Sequence, residues 1–535
     1  MGRTDDNTSG RFASIERVSF GLALVVVPIM LAVAGWTSQE FPNRIDRYLF
    51  EVMGAEVLDG GTVYLDCWDN KPPGLCWLNV AVLWIGGRST YAVTAAAVIA
   101  GLLAVGVMWL GISRMHGRGT ATVCSLIFAT ILSQRYFDAC TNGTELYAMV
   151  ADALAAFFVV AAIARSSPSC LWCALLAGAC WGLGGLFKQT AIAGPLAVLV
   201  GTLTAVVVGP GRRMRWICLA LLACAGAVIV TGSAVAILQY QGALHAAYEA
   251  VIGVNLLPQN TSHVTGAFNP SVVLPQAAPI TGAVLLAATG VVVTLVSGRK
   301  LDEESSEVRC AQRGLGRSVM VFMVLWALVA LYGVGIGPSH MPRYWHGVFV
   351  PMMYLTAQGV WFVLGLCTRG ERHHRWTAII GAGVLAVIFF GPLLRNISDD
   401  ALRARYYSDF DSERGRLIEI GDRIRGLTEP DDRIYVWGYC PGIYRFSDRR
   451  SACRFSGIEK LGSPTGFGQP IAEEIVDTLQ SRSPRLIAVE ERRVDALLDD
   501  RVGGLLVPGV GEWFARSYQR RDSIHGFELY VCRNP

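Results

Sequence analysis

Charge is scarce in this sequence. Asp, Glu, Lys and Arg make up 16% of its 535 residues, against roughly a quarter in soluble domains. Hydrophobic residues make up 53% and the mean hydropathy is +0.41. This balance excludes an ordinary soluble enzyme and points to a chain built to sit in lipid. The net charge is only +4, and no basic arm interleaved with aromatics is present, so nucleic acid is excluded as a partner. The first apolar run, after Arg17, is not followed by a small-residue cleavage site. It reads as a retained span, not a cleaved signal. Fourteen cysteines are scattered, many inside apolar runs, where they act as small hydrophobes. Cys170 and Cys173 have CxxC spacing but no second pair nearby, which argues against zinc.

The charge that exists is unevenly placed. About half of all charged residues follow Arg395, so two physical regimes meet near that point. Before it, a helix needs about twenty apolar residues to cross the hydrocarbon. Runs that meet or approach this lie at Val18–Trp36, Tyr91–Ser113, Thr120–Ser133, Leu146–Ala164, Leu171–Phe187, Ala191–Val208, Trp216–Leu238, Val272–Val296, Ser318–Ile336, His346–Cys367 and Trp376–Leu394. With the N-terminus inside, the inner segments hold seventeen Lys and Arg residues and the outer loops seven. That bias sets the orientation. The expectation is an α-helical polytopic membrane protein of about eleven spans with a C-terminal soluble α/β domain. Residues 1–394 form the membrane domain, with a first outer loop at 37–90, and 395–535 the soluble domain. The C-terminal region lies outside, in the periplasm of a Gram-negative cell. Its α/β character rests on helical periodicity at Ser412–Gly426 and Ile471–Leu479 and on strand-like runs at Arg433–Tyr439, Arg485–Val489 and Phe527–Cys532.

Transporters place ionisable groups within their spans. Here the spans hold few, Asp152 being the main exception. A flippase of lipid-linked glycans is therefore the weaker reading, and a non-catalytic scaffold does not need eleven spans. The polar residues crowd the outer loops instead. The first carries Asp46, Tyr48, Glu51 and Glu56 on a predicted amphipathic helix. A turn at Gly60 and Gly61 follows, then Tyr64, Asp66, Asp69, Asn70, Lys71, Pro72 and Pro73. Gly74–Ile85 is apolar but too short to span, and is expected to lie along the interface. Smaller clusters share that side: Arg135, Tyr136, Asp138, Asn142, Thr144 and Glu145; Lys188 and Gln189; His340, Arg343, Tyr344 and His346.

Asp46, Tyr48 and GGTVYLDCWDNKPPG resemble the first periplasmic loop of the GT-C glycosyltransferases, in the branch of the protein mannosyltransferases and the lipid A aminoarabinose transferases. NGTELYAMVADAL (Asn142–Leu154), GGLFKQTAIAGP (Gly184–Pro195), HMPRYWHGVFVPMMYL (His340–Leu355) and RIYVWGYCPGIYRFSDRRSACRF (Arg433–Phe455) are similar to further segments of that family. The resemblance implies an enzyme of the bacterial inner membrane. It takes a sugar from a polyprenyl-phosphate donor and passes it to a lipid, glycan or protein acceptor outside. It also implies that Asp46 is the base that deprotonates the acceptor, with Asp138 sharing the role. Lys71, Lys188 and Arg343 are then the cations for the donor phosphate. Asp66, Asp69, Glu145, His340 and Tyr344 complete the substrate-binding set. The chain departs from the family at Arg47, where many members carry a second acid, and at Asn70, where many carry Glu or His. No cofactor is assigned, and a divalent metal stays open.

Overall fold

A computed structural model describes residues 6–37, 45–137, 140–164, 169–208, 213–256, 273–274, 277, 280–300, 307–336, 342–369, 413–457 and 468–533. The α-helices in these segments are, in chain order, α1 (Asp6–Thr37), α2 (Ile45–Leu58), α3 (Gly74–Gly86), α4 (Thr90–His116), α5 (Arg118–Leu132), α6 (Thr144–Ala164), α7 (Ser169–Phe187), α8 (Ala193–Val208), α9 (Arg213–Tyr240), α10 (Leu244–Tyr248), α11 (Thr281–Lys300), α12 (Glu307–Ile336), α13 (His346–Arg369), α14 (Glu413–Arg425), α15 (Gly442–Ser447), α16 (Gly468–Arg482), α17 (Val494–Leu498) and α18 (Val510–Ser517). They fall into two compact units. One gathers Met1–Ser38, Thr94–Ala234 and His263–Leu402; the other gathers Gln39–Val93, Val235–Ser262 and Arg403–Pro535.

The first unit is helical. Five helices among the described residues are long and apolar enough to cross a membrane: Thr90–His116, Thr144–Ile163, Cys170–Phe187, Met214–Tyr240 and Pro342–Leu364. Shorter apolar helices lie at Phe20–Trp36, Arg118–Leu132, Gln189–Gly201, Thr281–Leu295 and Val319–Gly335. Ten of the eleven apolar runs therefore fall on helices, and Trp376–Leu394 lies outside the described residues. In the run from Val272, the described residues Val273, Leu274 and Ala277 are helical and α11 follows from Thr281.

Small residues let these helices meet. Gly178 of α7 and Gly226 of α9 lie at a crossing where a Cβ on either would run into a backbone carbonyl oxygen of the other helix, Ala223 O and Leu175 O respectively. In lipid, close backbone approach of this kind replaces the hydrophobic driving force available in water. Between α7 and α12, Trp181 and Trp326 pack edge to face with ring centroids 5.8 Å apart. Asp152, the one acidic residue deep in an apolar helix that the sequence singled out, is buried in α6, and its Oδ1 meets no hydrogen-bond partner among the described residues.

The second unit joins α2, α3 and the segment around α10 to a C-terminal sheet. Its strands are β1 (Arg433–Trp437), β2 (Arg450–Ser451), β3 (Leu486–Glu490), β4 (Arg501–Val502), β5 (Leu505–Leu506), β6 (Tyr518–Ile524) and β7 (Phe527–Cys532). Five form one sheet in the order β2-β1-β3-β7-β6, and β4 and β5 form a small ribbon. β2, β1 and β3 run parallel, while β7 is antiparallel to β3 and to β6.

Strand alternation builds two cores. Tyr435, Trp437, Ile487 and Val489 face α16, with Ile471, Ala472, Ile475 and Leu479. Ile434, Val436, Leu486 and Ala488 face the other way, onto Leu417, Ile420 and Ile424 of α14 and Ile443 of α15. Tyr48 of α2 is buried in this second core, so the first loop is built into the C-terminal sheet domain. β6 was not foreseen. Its residues YQRRDSI form an edge strand, where charge is common because it blocks further pairing.

Two measurements test this packing. Gly178→Ala is expected to destabilise the detergent-solubilised protein by about 1–3 kcal/mol, read as a lower unfolding midpoint. Glu490 supplies a pH dependence. Burial raises its carboxyl, but hydrogen bonds from Arg492, Arg493 and the Tyr439 amide outweigh this and hold it below the usual carboxylate range. A lowered carboxyl contributes stability above its ordinary titration range, and that stability is lost as pH falls through the lowered value. The Glu490→Gln variant is expected to show a shallower loss of stability in acid than the parent, measured by denaturant unfolding across pH.

Candidate active site

In the second unit, α2 is held by buried carboxylates. Glu51 is fully buried. Its Oε1 is 3.2 Å from Arg47 Nε, one turn earlier, and its Oε2 is 3.2 Å from Arg445 Nε of α15. Burial raises the Glu51 carboxyl above its ordinary value, with the two guanidiniums working against that rise. Glu56 is gripped by both arms of the Arg450 guanidinium, the Nε–Oε2 distance being 3.0 Å. Arg433 lies 3.8 Å away from the same carboxylate. Arg88 pairs with Asp59 and lies 3.7 Å from Asp448. Arg47, the departure from the family pattern, is thus a buried ion-pair partner. Asp46 is the second residue of α2, and its side chain lies outside the described residues.

After α2 the chain turns at Gly60, whose φ of 91° lies in the left-handed region that glycine adopts freely. Asp66 is exposed and its Oδ2 accepts the Thr62 amide at 2.8 Å; it closes its own turn. Tyr64 is buried with a φ of 70°, a conformation that costs about 1–3 kcal/mol in a non-glycine residue. Its hydroxyl donates to the Lys71 carbonyl at 2.8 Å. Asp69 is buried, accepts the Asn70 amide at 2.9 Å, and holds Lys71 Nζ at 3.0 Å. The Lys71 ammonium also lies 5.2 Å from the Phe50 ring centroid. Asn70 exchanges hydrogen bonds with Asn255: its Nδ2 donates to Asn255 Oδ1 at 3.4 Å, and its carbonyl accepts from Asn255 Nδ2 at 2.9 Å. α3 then begins after Pro73. Nothing in the sequence marked Asn255, which stands in no motif.

Arginines of the sheet domain reach this loop as well. Arg454 Nη1 donates to the Tyr64 carbonyl at 2.9 Å while its Nε contacts Glu474 at 2.5 Å. Trp68 and Phe455 pack with ring centroids 5.2 Å apart.

In the first unit, Glu145 opens α6 and gathers two cations. Lys188 Nζ is 2.5 Å and Arg343 Nε 3.4 Å from its Oε1. The Thr144 hydroxyl donates to Oε2 at 3.1 Å. The Lys188 ammonium stands 3.9 Å from the Tyr344 ring centroid. His346 Nε2 lies 3.0 Å from the Phe137 carbonyl. Among the described residues one carboxylate faces two cations here, a grouping that can receive an anion. Four of the ten expected site residues meet here: Glu145, Lys188, Arg343 and Tyr344. Asp69 and Lys71 meet in the other unit. Asp138 and His340 lie outside the described residues. Among the described residues no group of three or more His, Cys, Asp or Glu side chains is placed to hold a metal.

Comparison with known proteins now bears on this geometry. A family model described as dolichyl-phosphate-mannose-protein mannosyltransferase matches residues 70–237. The crystal structure of ArnT from Cupriavidus metallidurans bound to undecaprenyl phosphate superposes with a TM-score of 0.61 at 14% identity, covering 95% of this chain and 97% of that one. The chain shares that structure's fold. The archaeal oligosaccharyltransferase AglB from Archaeoglobus fulgidus, in complex with an inhibitory peptide and a dolichol-phosphate, superposes with a TM-score of 0.51 at 12% identity, covering 88% of this chain and 69% of that one. No curated protein sequence matches the chain. The family match begins at Asn70, and so takes in the Lys-Pro-Pro segment, Glu145 and Lys188. The expected resemblance to the mannosyltransferase and aminoarabinose transferase branch therefore holds.

The ion pairs of α2 generate a stability prediction. Glu51→Ala leaves Arg47 and Arg445 without their shared counter-charge and is expected to cost about 3–5 kcal/mol. Denaturant unfolding of the purified protein measures it. A change within experimental error would mean that the clamp is dispensable.

Proposed function

We propose that the protein is a membrane glycosyltransferase that moves a sugar from a polyprenyl-phosphate donor to a lipid, glycan or protein acceptor on the outer face of the bacterial inner membrane. The observation that carries this reading is the Glu145–Lys188–Arg343 corner. It is a cationic site at the start of an apolar helix, on a fold whose solved examples hold undecaprenyl phosphate and dolichol-phosphate.

The eleven-span topology with a cytoplasmic N-terminus accounts for the arginine bias. It puts the first loop and the C-terminal domain on one side of the membrane, and their shared packing in one unit supports that placement. Residues 1–394 are then the membrane domain and 395–535 the outer domain.

Asp46 takes the proton from the acceptor hydroxyl as that oxygen attacks the anomeric carbon. The bond from the anomeric carbon to the donor phosphate oxygen breaks, and Lys71, Lys188 and Arg343 stabilise the departing phosphate. Glu145 and Asp69 set the positions of these cations. Asp66, Asp138, His340 and Tyr344 complete the proposed substrate-binding set.

The Asp46→Ala variant is expected to lose transfer by at least about 100-fold while keeping the parent's unfolding midpoint. Lys188→Ala and Arg343→Ala are each expected to weaken binding of undecaprenyl phosphate about tenfold. The assay is transfer of labelled sugar from a polyprenyl-phosphate donor, together with mass spectrometry of envelope glycolipids and glycoproteins from cells with and without the gene. Parent-like transfer by folded Asp46→Ala protein would remove the base assignment.

A further inference from the structure

The first loop holds two buried thiols that no part of this chemistry uses. Cys67 and Cys76 are 6% and 1% exposed. The Cys67 carbonyl accepts the Tyr64 amide at 2.6 Å, and its Sγ lies 3.7 Å from the Met53 carbonyl of α2. Cys76 lies in the first turn of α3, three residues before Asn79 and hence on the same helix face. At Asn79 the two helices nearly touch: a Cβ on Gly54 would lie 2.6 Å from Asn79 Cβ. α3 therefore presents Cys76 to the level of α2 where the Cys67 thiol already sits. Cys76 is the neighbour with the largest effect on the Cys67 thiol.

We propose that Cys67 and Cys76 are joined by a disulfide in the mature protein. The proposal rests on the outward placement of the loop, because disulfides persist in oxidising compartments. Each thiol gives up its hydrogen and an Sγ–Sγ bond forms. A disulfide donor of that compartment takes the two electrons and two protons and becomes two thiols. The Cys76 neighbour and burial push the Cys67 thiol well above its ordinary value, so exchange at the folded site is slow, and the bond forms before the loop closes. The cross-link spans Asp69, Asn70, Lys71, Pro72 and Pro73, the segment that presents the loop lysine. It ties that segment to the start of α3 and opposes unwinding of the strained turn at Tyr64.

The test is peptide mapping of the full-length protein, alkylated at harvest and digested without reductant. The expected product is a linked pair containing Cys67 and Cys76, about 2 Da lighter than the two free peptides together. A reductant is expected to lower the melting temperature of the parent by several degrees and to leave the C67S/C76S double variant unchanged. Alkylated Cys67 and Cys76 in the parent, or equal responses to reductant, would overturn the proposal. Labelling of a Leu65→Cys change in the double variant with a membrane-impermeant maleimide on intact spheroplasts separates the two ways to fail. Alkylated thiols with Leu65→Cys labelled refute the disulfide alone. Alkylated thiols with Leu65→Cys protected refute the disulfide and the outward placement together.

Discussion

The buried carboxylate of Glu51 is the constraint on which the first loop depends. It is fully buried and meets Arg47 from its own helix and Arg445 from a helix 394 residues away in sequence. Removing charges from water costs several kcal/mol per ion, and only good geometry recovers it. Such a contact therefore selects one arrangement more than it adds stability. Glu56, one and a half turns further on, repeats the device with Arg450. With Tyr48 buried against the sheet, α2 has one seat and one rotation. Everything the loop displays after Gly60 is measured from that seat, and Asp46 lies five residues before Glu51 on the same helix.

This changes the meaning of Arg47. An acid at 47 would stand one turn from Glu51, two buried like charges at i and i+4, with Arg445 as their shared counter-ion. Arginine there turns a repulsive pair into a neutralised one and adds a guanidinium 5.5 Å from the Tyr48 ring centroid. The departure from the family pattern is thus matched by its surroundings. It argues for a loop held in place, and says nothing against the aspartate beside it.

The long-range part of this arrangement was illegible in the sequence for a physical reason. Apolar length announces helices, and short apolar runs with β-branched and aromatic residues announced β1, β3 and β7, because both are local signals. Lys188 and Arg343 could be nominated as cations, and Glu145 as a neighbour, since each stood in a segment of its own. Their meeting could not be read. Lys188 finds Glu145 across 43 residues, and Arg445 and Arg450 find Glu51 and Glu56 across 394. A charged residue carries no mark of its partner. Asn255 was missed for the same reason, and β6 because a polar edge strand has half the pattern of a buried one.

The two units solve the same problem in the same way. A lone cation at a helix end is mobile: it snorkels to water, and an approaching anion must first order it. In this protein the relevant lysines are ordered before any ligand arrives, Lys71 by Asp69 and the Phe50 ring, and Lys188 by Glu145 and the Tyr344 ring. The carboxylates offset part of the positive charge, which weakens the pull on a distant anion. They also fix where that charge stands, and a fixed dipole needs little reorganisation as negative charge develops beside it. At Glu145, among the described residues, two cations share one carboxylate, because Arg343 joins the same oxygen as Lys188. At Asp69 the pair is neutral, so Lys71 gains strength as an anion ligand only when it swings from the carboxylate toward a competing oxygen. In the proposed site the two lysines are therefore unequal: Lys188 shares its carboxylate with a second cation, and Lys71 holds one to itself among the described pairs.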